Sequence, residues 1–160
     1  MQPAVSRSAQ RLLSAIAALA GAGSIVSSVS LYHHFGTSQT KYCDFGESFN
    51  CDIVNRSTYS VIFGIPVALI GILGYVSLLV FATVYRNKAE VPGILLLASV
   101  GGLGFALYLT YIEAFVLGVW CILCMSSLAI IVMITILCAV LVVQSVRQTN
   151  ADDNSEKPFA

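Results

Sequence analysis

Two cysteines three residues apart, Cys121 and Cys124, sit in "WCILCMSS" (residues 120–127), inside a long apolar run. Residues i and i+3 share a helix face. A disulfide between them closes almost no loop, so it adds little stability through chain entropy. The pattern suits redox work better. At a helix N-terminus the positive end of the dipole stabilises a thiolate and lowers its pKa. The effect fades within a turn, so Cys121 gains most. A second pair, Cys43 and Cys51, lies in "KYCDFGESFNCDIVNRS" with seven residues between the two. That spacing closes easily into a bridge, which on its own is an ordinary loop staple. Cys138 lies about four turns beyond Cys124 and reads as a buried packing residue. A zinc centre needs four ligands. Four thiolates, or His33 and His34, would supply them, but adjacent histidines at a helix end are ordinarily an interfacial cap, and no metal is expected.

The elements that must position these thiols are membrane helices. Of the 160 residues, 58% are hydrophobic and 10% charged, whereas a soluble domain has about 25% charged. Such a chain cannot cover itself with polar surface. The formal net charge is zero, which offers no pull on nucleic acid or an acidic substrate. Four apolar runs stand out, at about 12–31, 61–85, 91–117 and 120–146, each near the roughly 20 residues a spanning helix needs. Apolar residues continue through Val119 into the fourth run, so a turn must divide the two, and Gly118 is the predicted point. The expected fold is an all-α integral membrane protein. It is a four-transmembrane-helix bundle over residues 1–147, with an outer loop at 32–60 and a disordered cytoplasmic tail at 148–160. The first run also has the look of a secretory signal. Arg7 and Arg11 precede it, and Ala20-Gly21-Ala22 resembles a cleavage site. Small and apolar residues continue to Leu31, which is spanning length and favours a retained helix.

Lys and Arg set the orientation. With the N-terminus inside, Arg7, Arg11, Arg86, Lys88, Arg147 and Lys157 are cytoplasmic, and only Lys41 and Arg56 are outside. Cys43, Cys51, Cys121 and Cys124 then gather at the outer face, where disulfides persist. A dithiol at the lipid–water boundary can exchange with a thiol from water and pass electrons to a lipid-soluble two-electron acceptor, for which a quinone is the obvious chemistry. The outer pair would collect electrons from a soluble thiol protein.

The order of these motifs resembles the vitamin K epoxide reductase family, in its bacterial-type branch. Cys43 and Cys51 come first. "CDIVNRS" follows as Cys-x-x-Val-x-x-Ser, giving Cys51, Val54 and Ser57. "FGIP" (Phe63–Pro66) opens the second helix, and "LYLTYIEAFVLGVWCILC" runs from the third helix into Cys-x-x-Cys. The resemblance covers about residues 9–146. It implies a four-helix bundle around a quinone, with part of the outer segment folded back as a half-helix cap. By motif, Cys43 is the shuttle meeting the redox partner and Cys51 relays to Cys121. Cys124 faces the quinone and forms a charge-transfer or adduct state. Ser57 matches the serine near the ring, against the plainer reading of a turn or cap serine. Phe63, Ala68 and Tyr111 are expected to line the pocket, though aromatics there also serve simple packing. The implied cofactor is a quinone of the ubiquinone, menaquinone or phylloquinone type, and the implied location is a bacterial inner membrane with its cysteines facing the periplasm.

Two departures sharpen the expectation. Many bacterial relatives carry a thioredoxin-like domain after the fourth helix. Here a short tail follows, so a separate thioredoxin-fold partner is expected. Vertebrate relatives follow Cys-x-x-Cys with Thr-Tyr-Ala, where this chain has Ser127, Leu128 and Ala129, which weakens any expectation of epoxide chemistry. Glu113, in "YIEAF", is a carboxylate in an apolar run. Such groups are functional or face water. A solvated edge near the outer face is the first expectation, and a proton donor to reduced quinone the sharper one. The leading expectation is therefore a quinone-dependent thiol oxidase supporting disulfide formation in exported proteins. Reduction of vitamin K epoxide is the runner-up. A structural tetraspan protein with a stapled loop would leave Cys121 and Cys124 idle.

Overall fold

The computed structural model describes residues 7–36, 50–62, 64–86, 88 and 90–155. Cys43 and Phe63, both expected in the site, lie outside the described residues. From Arg7 the sequence runs without proline through small and apolar residues, and it forms a single helix, α1 (Arg7–Phe35). The buried positions Leu13, Ile16, Ala20, Gly23 and Ser27 step by three and four, one face of a helix. Helix α3 (Val67–Thr83) buries Tyr75, Leu78 and Ala82 with the same step. Helix α4 (Val91–Ile112) has Pro92 in its first turn, where a missing N–H costs nothing, and buries Val91, Leu95 and Ser99. Helix α5 (Ile122–Ser155) contributes Ile131, Ile134, Cys138 and Leu141. These four stripes form one core, in which Ile16, Leu95, Ile134 and Cys138 are wholly buried.

The opposite faces are also apolar. Leu73, Leu97 and Ile136 are all exposed. Helices apolar all round belong to a chain whose solvent is lipid. Arg7–Phe35, Val91–Leu117 and Ile122–Ala151 are each long and apolar enough to cross a bilayer, and α3 is a shorter apolar helix of 17 residues. The protein is an integral membrane protein built mainly of helix.

Between α1 and α3 the described chain forms a short helix, α2 (Cys51–Arg56), and a 3-10 turn at Thr58–Ser60. A two-stranded hairpin follows, β1 (Val61–Ile62) against β2 (Ile65–Pro66), turning through Gly64 at φ 81°. These strands are a small addition to the all-α expectation. Pro66 occupies the N-cap position of α3. The sequence placed a disordered segment from residue 148, yet α5 continues to Ser155. Neither glycine nor proline interrupts it before Pro158.

Helices α1 and α3 meet closely at Gly23, where a Cβ would stand 2.4 Å from the Tyr75 ring. That ring cannot swing aside freely. Its hydroxyl donates to the Ser127 carbonyl at 2.9 Å and pairs with the Ser127 hydroxyl. Gly23→Ala is therefore expected to destabilise the bundle by about 1–3 kcal/mol, the usual cost of overpacking. Thermal unfolding in detergent would register it, and an unchanged midpoint would contradict the close contact.

Candidate active site

Cys121 stands at the head of α5. Its carbonyl accepts the first helical bond, from Met125 N–H at 3.0 Å. The hydrogen bond from the Cys124 thiol holds the Cys121 thiol below its ordinary pKa, and the backbone N–H groups of Cys124 and Leu123 add to this. Burial and the Glu113 charge oppose it. The free N–H groups of a helix start thus favour a thiolate at the first cysteine.

Cys51 is brought to the same place by main-chain pairing. Asn50 N–H donates to the Trp120 carbonyl at 3.1 Å, which sets the next residues, Cys51 and Cys121, side by side. The Asn50 side chain also caps α2, its Oδ1 accepting from Ile53 N–H at 3.0 Å. Cys51, Val54 and Cys121 form one buried cluster, packed by Leu117, Val119, Leu123 and Cys124. Cys51 is disulfide-bonded, whereas Cys121 and Cys124 are free thiols. Cys138 is a free, buried thiol in the bundle core, away from this cluster.

Glu113 corrects the expectation of a solvated edge, being only 2% exposed. The last turn of α4 widens into a π-helical turn over Glu113–Leu117, which ends at Gly118 with φ 64°. Such wide turns commonly mark functional sites. Glu113, its first residue, shares the α4 face of Ala106 and Leu109, which lines a cavity. Glu113 Oε2 accepts from Cys121 N–H at 3.2 Å, and the carboxylate also hydrogen-bonds the Cys124 side chain. One carboxylate oxygen and both sulfurs lie within 4.8 Å of one another.

A cavity of about 400 Å³ opens beside this cluster, between α1, α3, α4 and α5. Cys124, Glu113, Ser57 and Ala68 line it. Tyr111 does not, contrary to the sequence expectation. It is 59% exposed and stacks on Phe115, ring centroids 4.9 Å apart. Ser57 lines the cavity, but its hydroxyl donates to the Val54 carbonyl at 2.8 Å, so its proton is already engaged. The walls are largely apolar, and two buried polar atoms of lining residues, Asn55 Nδ2 and Glu113 Oε1, have no hydrogen-bond partner among the described residues. An apolar slot with a few unpaired polar atoms fits a flat, lipid-soluble ring bearing carbonyl oxygens.

Sequence reasoning missed Asn55, His34 and Tyr75 as lining residues. For Asn55 a signal existed. It lies four residues after Cys51, on the same face if that stretch is helical. Tyr75 gave none, since one tyrosine in an apolar helix looks like any packing residue.

The family model described as the vitamin K epoxide reductase family matches residues 14–141. No curated protein matches the chain.

Proposed function

The chain belongs to the vitamin K epoxide reductase family, whose members are membrane oxidoreductases of thiols, disulfides and quinones, and from that premise we propose that it is a quinone-dependent thiol oxidase. It takes electrons from a separate thioredoxin-fold protein and supports disulfide formation in exported proteins. The observation that carries this reading is the burial of Cys51 against Cys121 and Cys124 at the mouth of an apolar cavity. Helix α3 serves as a fourth span, its 17 residues reaching the lower end of the roughly 17–25 that suffice. Helix α2 and the hairpin serve as the cap over the cavity, at the outer face of a bacterial inner membrane.

The steps are thiol–disulfide exchanges that conserve electrons. A partner dithiol reduces the Cys43–Cys51 disulfide. One S–S bond breaks, two thiols form, and the partner leaves oxidised. Cys51 thiolate then attacks Cys121 in a Cys121–Cys124 disulfide, releasing Cys124 as a thiol. Cys43 resolves the Cys51–Cys121 bond, which restores the outer disulfide and leaves a reduced helix pair. A bound quinone would accept the two electrons and two protons then held by the helix pair. Cys124, Ser57 and Ala68 line the cavity that would hold it. Glu113 takes the Cys124 proton at its carboxylate and holds it facing the cavity.

The test is a trap. In Cys51→Ala, Cys43 is a lone thiol that attacks the disulfide of the oxidised partner and releases one partner thiol. No Cys51 remains to resolve the bond, so a Cys43 mixed disulfide with a smaller soluble protein is expected on non-reducing gels of membrane extracts. Quinone should keep the wild-type cysteines oxidised. An inert staple would yield no adduct and no response to quinone.

A further inference from the structure

We propose that Asn55 is the recognition residue for the quinone head, donating its side-chain amide to a ring carbonyl oxygen. The inference rests on the functional reading above and adds a binding contact that the cysteine motifs do not contain. Asn55 is 7% exposed and lines the cavity. Its amide oxygen is already engaged. Ser30 Oγ donates to Asn55 Oδ1 at 2.7 Å, which fixes the amide plane and leaves Nδ2 unpartnered among the described residues. The His34 ring, through Nδ1, hydrogen-bonds the Asn55 carbonyl and ties α2 to α1. Two α1 side chains therefore hold one residue of α2 in place.

An unpaired buried amide N–H costs stability. The group that would relieve it must reach an apolar cavity and present a hydrogen-bond acceptor. No neighbouring hydroxyl accepts from Nδ2 among the described residues, and each makes a bond elsewhere. Ser57 donates to Val54 O at 2.8 Å, Ser60 to Ser57 O at 2.7 Å, and Tyr75 is paired with Ser127. A carbonyl oxygen on an otherwise apolar ring meets both requirements. The residue also discriminates. An analogue lacking that carbonyl would leave Nδ2 unpaired, and sites built to bond a polar atom reject ligands without it strongly.

The test uses the full-length chain in detergent, with ubiquinone-1 and with menadione carrying carbon-13 at its carbonyls. Whichever of the two wild type binds is carried into Asn55→Leu and Asn55→Asp. Both variants are expected to bind it about tenfold more weakly, consistent with the loss of one neutral hydrogen bond. KM should rise by the same factor and kcat change little. The labelled carbonyl stretch should move to higher wavenumber in both. The potential of the Cys121/Cys124 pair should not move, since Asn55 plays no part in the thiol chemistry. Ser30→Ala, which frees the amide without removing it, should weaken binding less than either. Unchanged affinity and stretch in Asn55→Leu, or full affinity in the near-isosteric Asn55→Asp, would overturn the assignment while leaving the thiol oxidase standing. Wild type that binds neither quinone would sink the functional reading and this one with it.

Discussion

Cys124→Ala is expected to bring quinone reduction to background while leaving the outer thiols able to react. The reason is geometric. Cys124 lines the cavity and Cys121 does not, while Cys121 shares its buried cluster with Cys51. Without Cys124 no S–S bond can close within the helix pair, so the electrons have no exit. Cys121 can still attack Cys51 and release Cys43 as a thiol. A Cys51–Cys121 disulfide should therefore appear in acid-quenched, proteolysed samples read by mass spectrometry. A Cys43–Cys121 bond in its place would reverse the order of the proposed relay. Quinone turnover at the wild-type rate would remove Cys124 from it altogether.

Glu113→Gln is the second large effect. A positioned acid–base group contributes about 10²–10⁴ in rate, and a fall of about 10² in quinone-linked turnover is expected here. Exchange between Cys43–Cys51 and an external dithiol should proceed unchanged, because Glu113 meets the helix pair through Cys121 N–H and the Cys124 side chain. The substitution also has a signed effect on Cys121. The Glu113 charge pushes the Cys121 thiol upward, against the hydrogen bonds that pull it down. Removing that charge should shift the pH profile of Cys121 alkylation to lower pH than in wild type. A profile unmoved, together with unchanged turnover, would make Glu113 a structural anchor for the start of α5 and nothing more.

The Cys-x-x-Cys pair was legible in the sequence because such a pair depends on spacing alone. Cys121 and Cys124 share a helix face wherever that helix begins, and Gly118, the predicted break, does adopt the left-handed turn. The three long spans follow from run length and composition. What could not be read depended on which helix face meets the cavity. The sequence suggests a solvated edge for Glu113, yet it shares the face of Gly102, Ala106 and Leu109 that lines the cavity, at the start of a π-turn. Tyr111 sits at the same end of α4 and falls on the opposite side. A polar tail suggested disorder, but with no breaker before Pro158 the helix simply ran on. Asn55 required knowing that α1 supplies Ser30 and His34 across a gap of more than twenty residues, which no local pattern reports.

The pairing of Asn50 with Trp120 runs from one peptide group to another, so neither side chain's identity enters it. Substitutions could accumulate at position 120 without shifting the sulfurs, whereas proline at position 50 would abolish the donor. Cys51 and Cys121 are thus held in one buried cluster by a contact that involves no side chain. The machinery can drift in sequence and keep its spacing.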